Sequence, residues 1–175
     1  MIAFQRLYRG YGYLLRGFGL ISAAATFVMM LLVVANVVGR YLFNKPVTGT
    51  LEFTESLLVI IIFLSVALTQ YDGGHIRVNL LTRRLPKAWA RVLTVIAMLV
   101  GAVFFAWCAY AAWNFAVQAY SFNEHEWGEV MFPLWPMKFV VFLGISLLAL
   151  QFLLDAIAET LMPIASDDER AMESI

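Results

Sequence analysis

The sequence predicts an all-α integral membrane protein with four transmembrane helices, and three observations predict it. The first is composition. The 175 residues are 62% hydrophobic and 14% charged, whereas a soluble domain is about half apolar and about a quarter charged. The second is the length of the uncharged runs. Gly17 to Gly39 holds no Asp, Glu, Lys, Arg or His, and Arg91 is followed by an uncharged run to Asn123. About 20 apolar residues cross a bilayer as a helix. The third is that these runs are continuous rather than alternating. In lipid only helices and closed barrels satisfy their own backbone groups, and a continuous apolar run is the helical solution. The first run is too long for the apolar core of a signal peptide, and further runs follow it.

In chain order, the segment 1–17 comes first, within the stretch IAFQRLYRGYGYLLRGFG (Ile2 to Gly19). Phe4, Leu7, Tyr8, Tyr11, Leu14, Leu15 and Phe18 recur at helical spacing, with Arg6, Arg9 and Arg16 off that stripe. Two readings stand: an amphipathic helix on the inner leaflet, or a plain extension of the first span. The spans are expected over 18–39, 52–71, 91–119 and 134–158. Pro133 and Pro136 fall at the start of the fourth, where proline suits a helix N-terminus. Residues 160–175 read as a polar tail. No repeat or low-complexity linker divides the chain, so residues 1–175 form one membrane domain.

Basic residues orient the spans. Arg6, Arg9 and Arg16 precede the first span, Arg77, Arg83, Arg84, Lys87 and Arg91 lie between the second and third, and Arg170 is in the tail. The other side has only Arg40, Lys45 and Lys138. Both termini and the middle loop are therefore expected in the cytoplasm. The middle loop also offers HIRVNLLTRRLP as a basic segment suited to anionic headgroups.

Several chemistries lack their residues. The histidines, His75 and His125, fall in loops, so no span supplies a histidine ligand for haem. One cysteine, Cys108, makes neither an intrachain disulfide nor a multi-cysteine metal site. There is no glycine-rich phosphate loop, and the formal net charge of zero suggests no nucleic-acid partner. No cofactor, no metal and no enzyme are expected. An ion or substrate path usually shows ionisable residues deep in the spans or broken helices, and the first and third spans have none at mid-depth. Asn114 and Gln118 lie near the outer end of the third span, where polar residues commonly bond neighbouring helices. Trp107, Tyr110 and Trp113 give that span an aromatic stripe, suited to core packing, interfacial anchoring or a protein partner.

The stretch RYLFNKPVTGTLEFTESLL places Arg40 at the end of one span and Glu52 and Glu55 at the start of the next. The two carboxylates are three apart, on one helical face, in a first turn where the macrodipole favours negative charge. A short hairpin brings Arg40 near them. The favoured reading is a structural clasp, and the alternative is a proton or cation site at Glu55.

The order N-V-V-G-R-Y-L-F-N-K-P (Asn36 to Pro46), L-E-F-T-E-S (Leu51 to Ser56), G-G-H-I-R-V-N-L-L (Gly73 to Leu81), R-L-P (Arg84 to Pro86) and F-P-L-W-P-M-K-F (Phe132 to Phe139) resembles the small membrane subunit of TRAP transporters, the DctQ-like family. The resemblance covers almost the whole chain, including its length and four-span topology. It implies a bacterial inner-membrane protein that is one permease subunit of an uptake system for organic acids, driven by a cation gradient, commonly sodium. It implies two partners, a large multi-span permease (DctM-like) carrying the substrate and ion sites and a soluble periplasmic binding protein. It places Arg40, Glu52, Glu55, Gly74 and His75 in the helix-packing and inter-subunit framework. Asn79 stands where an acidic residue is common in relatives.

The outer loop SFNEHEWGEVMFPLW carries Glu124, Glu126 and Glu129 with no Lys or Arg. It reads either as a solvated acidic turn or, with Trp127 and Trp135 as anchors, as a docking patch for the binding protein. The competing classes are the small subunit of another tripartite uptake system, a self-sufficient small transporter using Glu55, and a lone ion channel. Neighbouring genes for a binding protein and a large permease would separate the first reading from these.

Overall fold

The computed structural model describes residues 2–73, 86–125, 128 and 130–161. The described residues form four helices: α1 (Ile2–Phe43), α2 (Thr50–Tyr71), α3 (Lys87–Ser121) and α4 (Trp135–Leu161). All four are long and apolar enough to cross a membrane. Among the described residues the only strand-like feature is an isolated bridge between His125 and Pro133. The chain is all-α, as its uninterrupted apolar runs require.

α2 and α4 match the expected spans closely, while α1 and α3 are longer. The segment before the first span is helical from Ile2 and runs into that span without a break, which is the continuity of the extension alternative. At about 1.5 Å per residue, the 42 residues of α1 reach roughly 63 Å, about twice the roughly 30 Å hydrocarbon core. The apolar stripe of this segment divides. Tyr8, Tyr11, Leu15 and Phe18 turn toward α2 and α4, whereas Leu7 and Leu14 stay exposed. The basic middle-loop segment, and the tail from residue 162 onward, lie outside the described residues.

Helix ends follow local chemistry. α3 closes with a Schellman arrangement: Asn123 is left-handed at φ 49°, Glu124 N–H donates to Ala119 O at 2.9 Å, and Asn123 N–H donates to Tyr120 O at 3.2 Å. α1 ends before Asn44, also left-handed at φ 54°. Asparagine tolerates that region better than most residues because its short side chain bonds locally. Pro136 is the second residue of α4, where its missing N–H costs nothing.

The close pairings are α1 with α2, α2 with α4 and α4 with α3. The helices thus form a row in the order α1, α2, α4, α3. The 44–49 connection and the 122–134 loop share one end, here the hairpin end. The N-terminus and the end of α4 share the other, the terminal end. The core cluster joins Leu15, Ala67, Leu147 and Leu148, with Phe105 and Phe152 stacked beside them at 5.4 Å. Small residues let the helices approach, the usual device where lipid is as apolar as leucine. Gly144 shows it best: a Cβ there would strike the carbonyl of Phe63 on α2.

Candidate functional site

The hairpin joining α1 to α2 is built by the motif residues themselves. Asn36 Oδ1 accepts the Val47 N–H at 3.0 Å, tying the return of the chain to α1. Lys45 N–H donates to Gly39 O at 3.0 Å, and a Cβ on Gly39 would sit 2.7 Å from Lys45 O. Thr50 Oγ1 donates to Val47 O at 2.6 Å. Asn36, Gly39 and Asn44 therefore shape the turn, and the spacing of N-V-V-G-R-Y-L-F-N records that job.

The three charged residues of the hairpin differ in exposure. Arg40 lies in the last turn of α1 and is exposed, and Glu55 is exposed on α2. Glu52 is 3% exposed and turns under the outer loop, its carboxylate against Gly128. Residues three apart on a helix are about 60° apart around it, enough to place Glu52 inside a contact and Glu55 outside. The ion pair among the described residues is Lys138 with Glu124, at 2.5 Å, and none there joins Arg40 to Glu52 or Glu55. Gly74 and His75 lie outside the described residues.

The outer loop folds over the start of α2. Leu134 N–H donates to Glu124 O at 3.0 Å, which closes the neck that the His125–Pro133 bridge begins. Phe132 meets Phe53 of α2 edge to face at 5.7 Å. Glu124, one of the three carboxylates read as a solvated acidic turn or a docking patch, is exposed and paired with Lys138. Glu126, Trp127 and Glu129 lie outside the described residues. Phe122 and Met131 (84% exposed) face outward on this loop.

At the terminal end the structure reveals a second cluster that sequence reasoning missed. The Asp155 carboxylate, 9% exposed, accepts hydrogen bonds from Tyr8 Oη at 3.0 Å, Gln70 Nε2 at 2.9 Å and Gln151 Nε2 at 2.6 Å. Three helices, α1, α2 and α4, supply these groups. Tyr11 Oη adds a 2.6 Å bond to Leu147 O, and Tyr8 stacks on Tyr71 at 5.1 Å. Gln70 Oε1 and Gln151 Oε1 are buried without a partner. Arg91 of α3 donates to Glu159 O and Thr160 O, covering the last carbonyls of α4. The available signal was Gln151 and Asp155 four apart on one face of the fourth span. The third and fourth members are distant in sequence, so spacing did not reveal them.

The aromatic stripe of α3 divides in the same way. Trp113, still 44% exposed, packs one side against Phe139 and Phe142 of α4, at 5.8 and 5.1 Å. Trp107 (76% exposed) and Tyr110 face away from the other helices. Asn114, one turn beyond Tyr110, is exposed with them.

Residues 29–161 match the family model described as the DctQ component of tripartite ATP-independent periplasmic transporters. The chain belongs to the DctQ family. Similar curated proteins agree. The ectoine TRAP transporter small permease protein TeaB of Halomonas elongata is 25% identical over 142 residues, covering 79% of this chain and 71% of that protein. A putative TRAP transporter small permease protein of Haemophilus influenzae is 26% identical over 100 residues, 57% of this chain and 61% of that protein. No solved structure matches the chain. This DctQ chain is therefore a small permease subunit of a TRAP transporter, a multi-pass membrane protein and a transporter component rather than an enzyme. The motif residues that suggested the family at the hairpin are those that shape its turn.

Proposed function

We propose that this DctQ subunit scaffolds a large multi-span permease (DctM-like) in the bacterial inner membrane and helps receive a periplasmic binding protein, in a transporter that takes up organic acids with a cation gradient, sodium being the expected ion. The observation that carries the scaffold reading is the outward face of α3. Trp107 and Tyr110 lead to Asn114, an exposed amide on an otherwise apolar helix about 10 Å from its hairpin end. Facing lipid, that amide has poor partners, whereas facing another helix it gains a hydrogen bond worth about 0.6–2 kcal/mol. Among the described residues, the row of helices leaves this face uncovered. The middles of the spans carry no Asp, Glu, Lys, Arg or His, which supports placing the substrate and ion sites on the partner. The exposed Arg40 and Glu55 suit the same inter-subunit framework, as contacts toward the large permease rather than toward each other. With the hairpin end in the periplasm, as the basic residues indicate, the outer loop faces the binding protein, and Glu126 and Glu129 supply its acidic charge.

The test is co-purification. A tagged small subunit should bring down a larger multi-span permease in mild detergent, and deleting its gene should abolish uptake. Asn114→Leu and Arg40→Ala should each lower recovery of the partner. Recovery of the small subunit alone, with uptake intact after deletion, would overturn the proposal. For docking, changing Glu126 and Glu129 to Gln should raise the amount of binding protein needed for half-maximal uptake, most at low salt.

A further inference from the structure

Glu52 stands apart from the other charged residues of the hairpin end. It is 3% exposed, although a buried carboxylate is costly unless something holds it. It belongs to the first turn of α2, where the macrodipole favours negative charge. The residue before that helix, Gly49, offers no side-chain cap. The carboxylate points into the outer loop and occupies the space a side chain at Gly128 would need. A Cβ there would strike Oε1 and lie 2.8 Å from Cδ and 2.9 Å from Cγ. Two neighbouring contacts seat the same loop on the same turn. Phe132 packs on Phe53 at 5.7 Å, and Val130 Cγ2 would lie 2.8 Å from a Cβ on Gly49. The neck bond from Leu134 N–H to Glu124 O closes behind them.

We infer that Glu52 is a positioning residue: its side chain, fixed in the first turn of α2, sets the path of the outer loop by lying against the Cα of Gly128. A side chain at residue 128 would displace the Glu52 carboxylate from this seat. The loop is thus held to α2 at Gly128, Val130 and Phe132 as well as by its own neck. The consequence for transport rests on the docking role proposed above, since a loop seated on α2 presents Met131 and Phe122 in one arrangement to the arriving protein. Preorganisation of this kind lowers the ordering cost of binding.

The experiment uses the assembled small and large subunits with the cognate binding protein, and compares Glu52→Ala, Gly128→Ala and the double variant. The structural readout is amide exchange at Leu134, and the functional readout is the binding-protein concentration that gives half-maximal uptake. Each single change should speed exchange at Leu134 by on the order of tenfold, because the loop opens locally more often. The double variant should exchange no faster than Glu52→Ala alone, because shortening Glu52 leaves room for the new methyl at position 128. Full additivity of the two changes, or unchanged exchange in both singles, overturns the inference. If Gly128→Ala blocks assembly outright, recovery of assembly in the double variant supports the inference and continued failure overturns it. The half-saturating concentration should rise along with exchange. Faster exchange with no change in that concentration leaves the positioning of the loop standing and removes its docking role.

Discussion

Asp155 receives three neutral donors from three helices, and the cluster it forms is more demanding than any single bond in it. Removing the carboxylate takes that acceptor from Tyr8 Oη and Gln70 Nε2 and leaves Gln151 Nε2 its longer bond to Tyr8 Oη at 3.3 Å. Each such hydrogen bond contributes about 1 kcal/mol net, and a buried donor left unsatisfied adds a desolvation cost of roughly 1–3 kcal/mol. Asp155→Leu should therefore destabilise the folded subunit by on the order of 3 kcal/mol, read as a fall in the thermal midpoint of the detergent-solubilised complex. Asp155→Asn keeps one acceptor oxygen and should lose less. Equal midpoints for Asp155→Leu and the natural chain would show that the cluster contributes nothing to stability. At the same scale, Asn36 explains why an amide inside the hairpin motif matters. It is the acceptor for Val47 N–H, a role its position in a long apolar run does not announce.

Helix pairs are decided by where small residues fall. α2 and α4 approach so closely at Gly144 that any added carbon meets the Phe63 carbonyl, part of a backbone that cannot rotate away. Gly144→Ala should cost about 1–3 kcal/mol, the range for overpacking a tight contact. It should also speed amide exchange in both helices relative to α1 and α3. A neutral result would mean that the α2–α4 pair tolerates separation. The positions of the elements were legible in the sequence, because an uncharged run of membrane length has one backbone solution. The extent of α1 was less so. Its first turns carry Arg6, Arg9 and Arg16, which pattern-reading assigns equally to a surface helix or an extension, and only its packing through Tyr8, Tyr11 and Leu15 shows which face is engaged.

At the scale of the whole molecule the four helices form a row, and the two at its ends, α1 and α3, keep long apolar faces uncovered among the described residues. A partner that binds the folded subunit stabilises it by mass action. The small subunit in complex with the large permease should therefore melt at a higher temperature than the small subunit alone in the same detergent, and the difference should shrink for Trp107→Ala. Identical midpoints with and without the partner would argue against a stabilising contact between them.

Composition, uncharged runs and the ordered motifs by themselves determined the membrane class, the number of spans and the family, because these depend on local cost: charge beside lipid, an unsatisfied backbone, a turn that needs Asn or Gly. Which charged residues meet was decided only by the tertiary structure. Arg40, Glu52 and Glu55 are neighbours along the chain, yet Glu52 turns beneath Gly128 while the other two face outward. Tyr8 and Asp155 are 147 positions apart and meet. The physical reason is that a helix fixes only the angle between its own residues. What each face touches depends on helix rotation and neighbour order, and those are set jointly by packing among chain segments far apart in sequence.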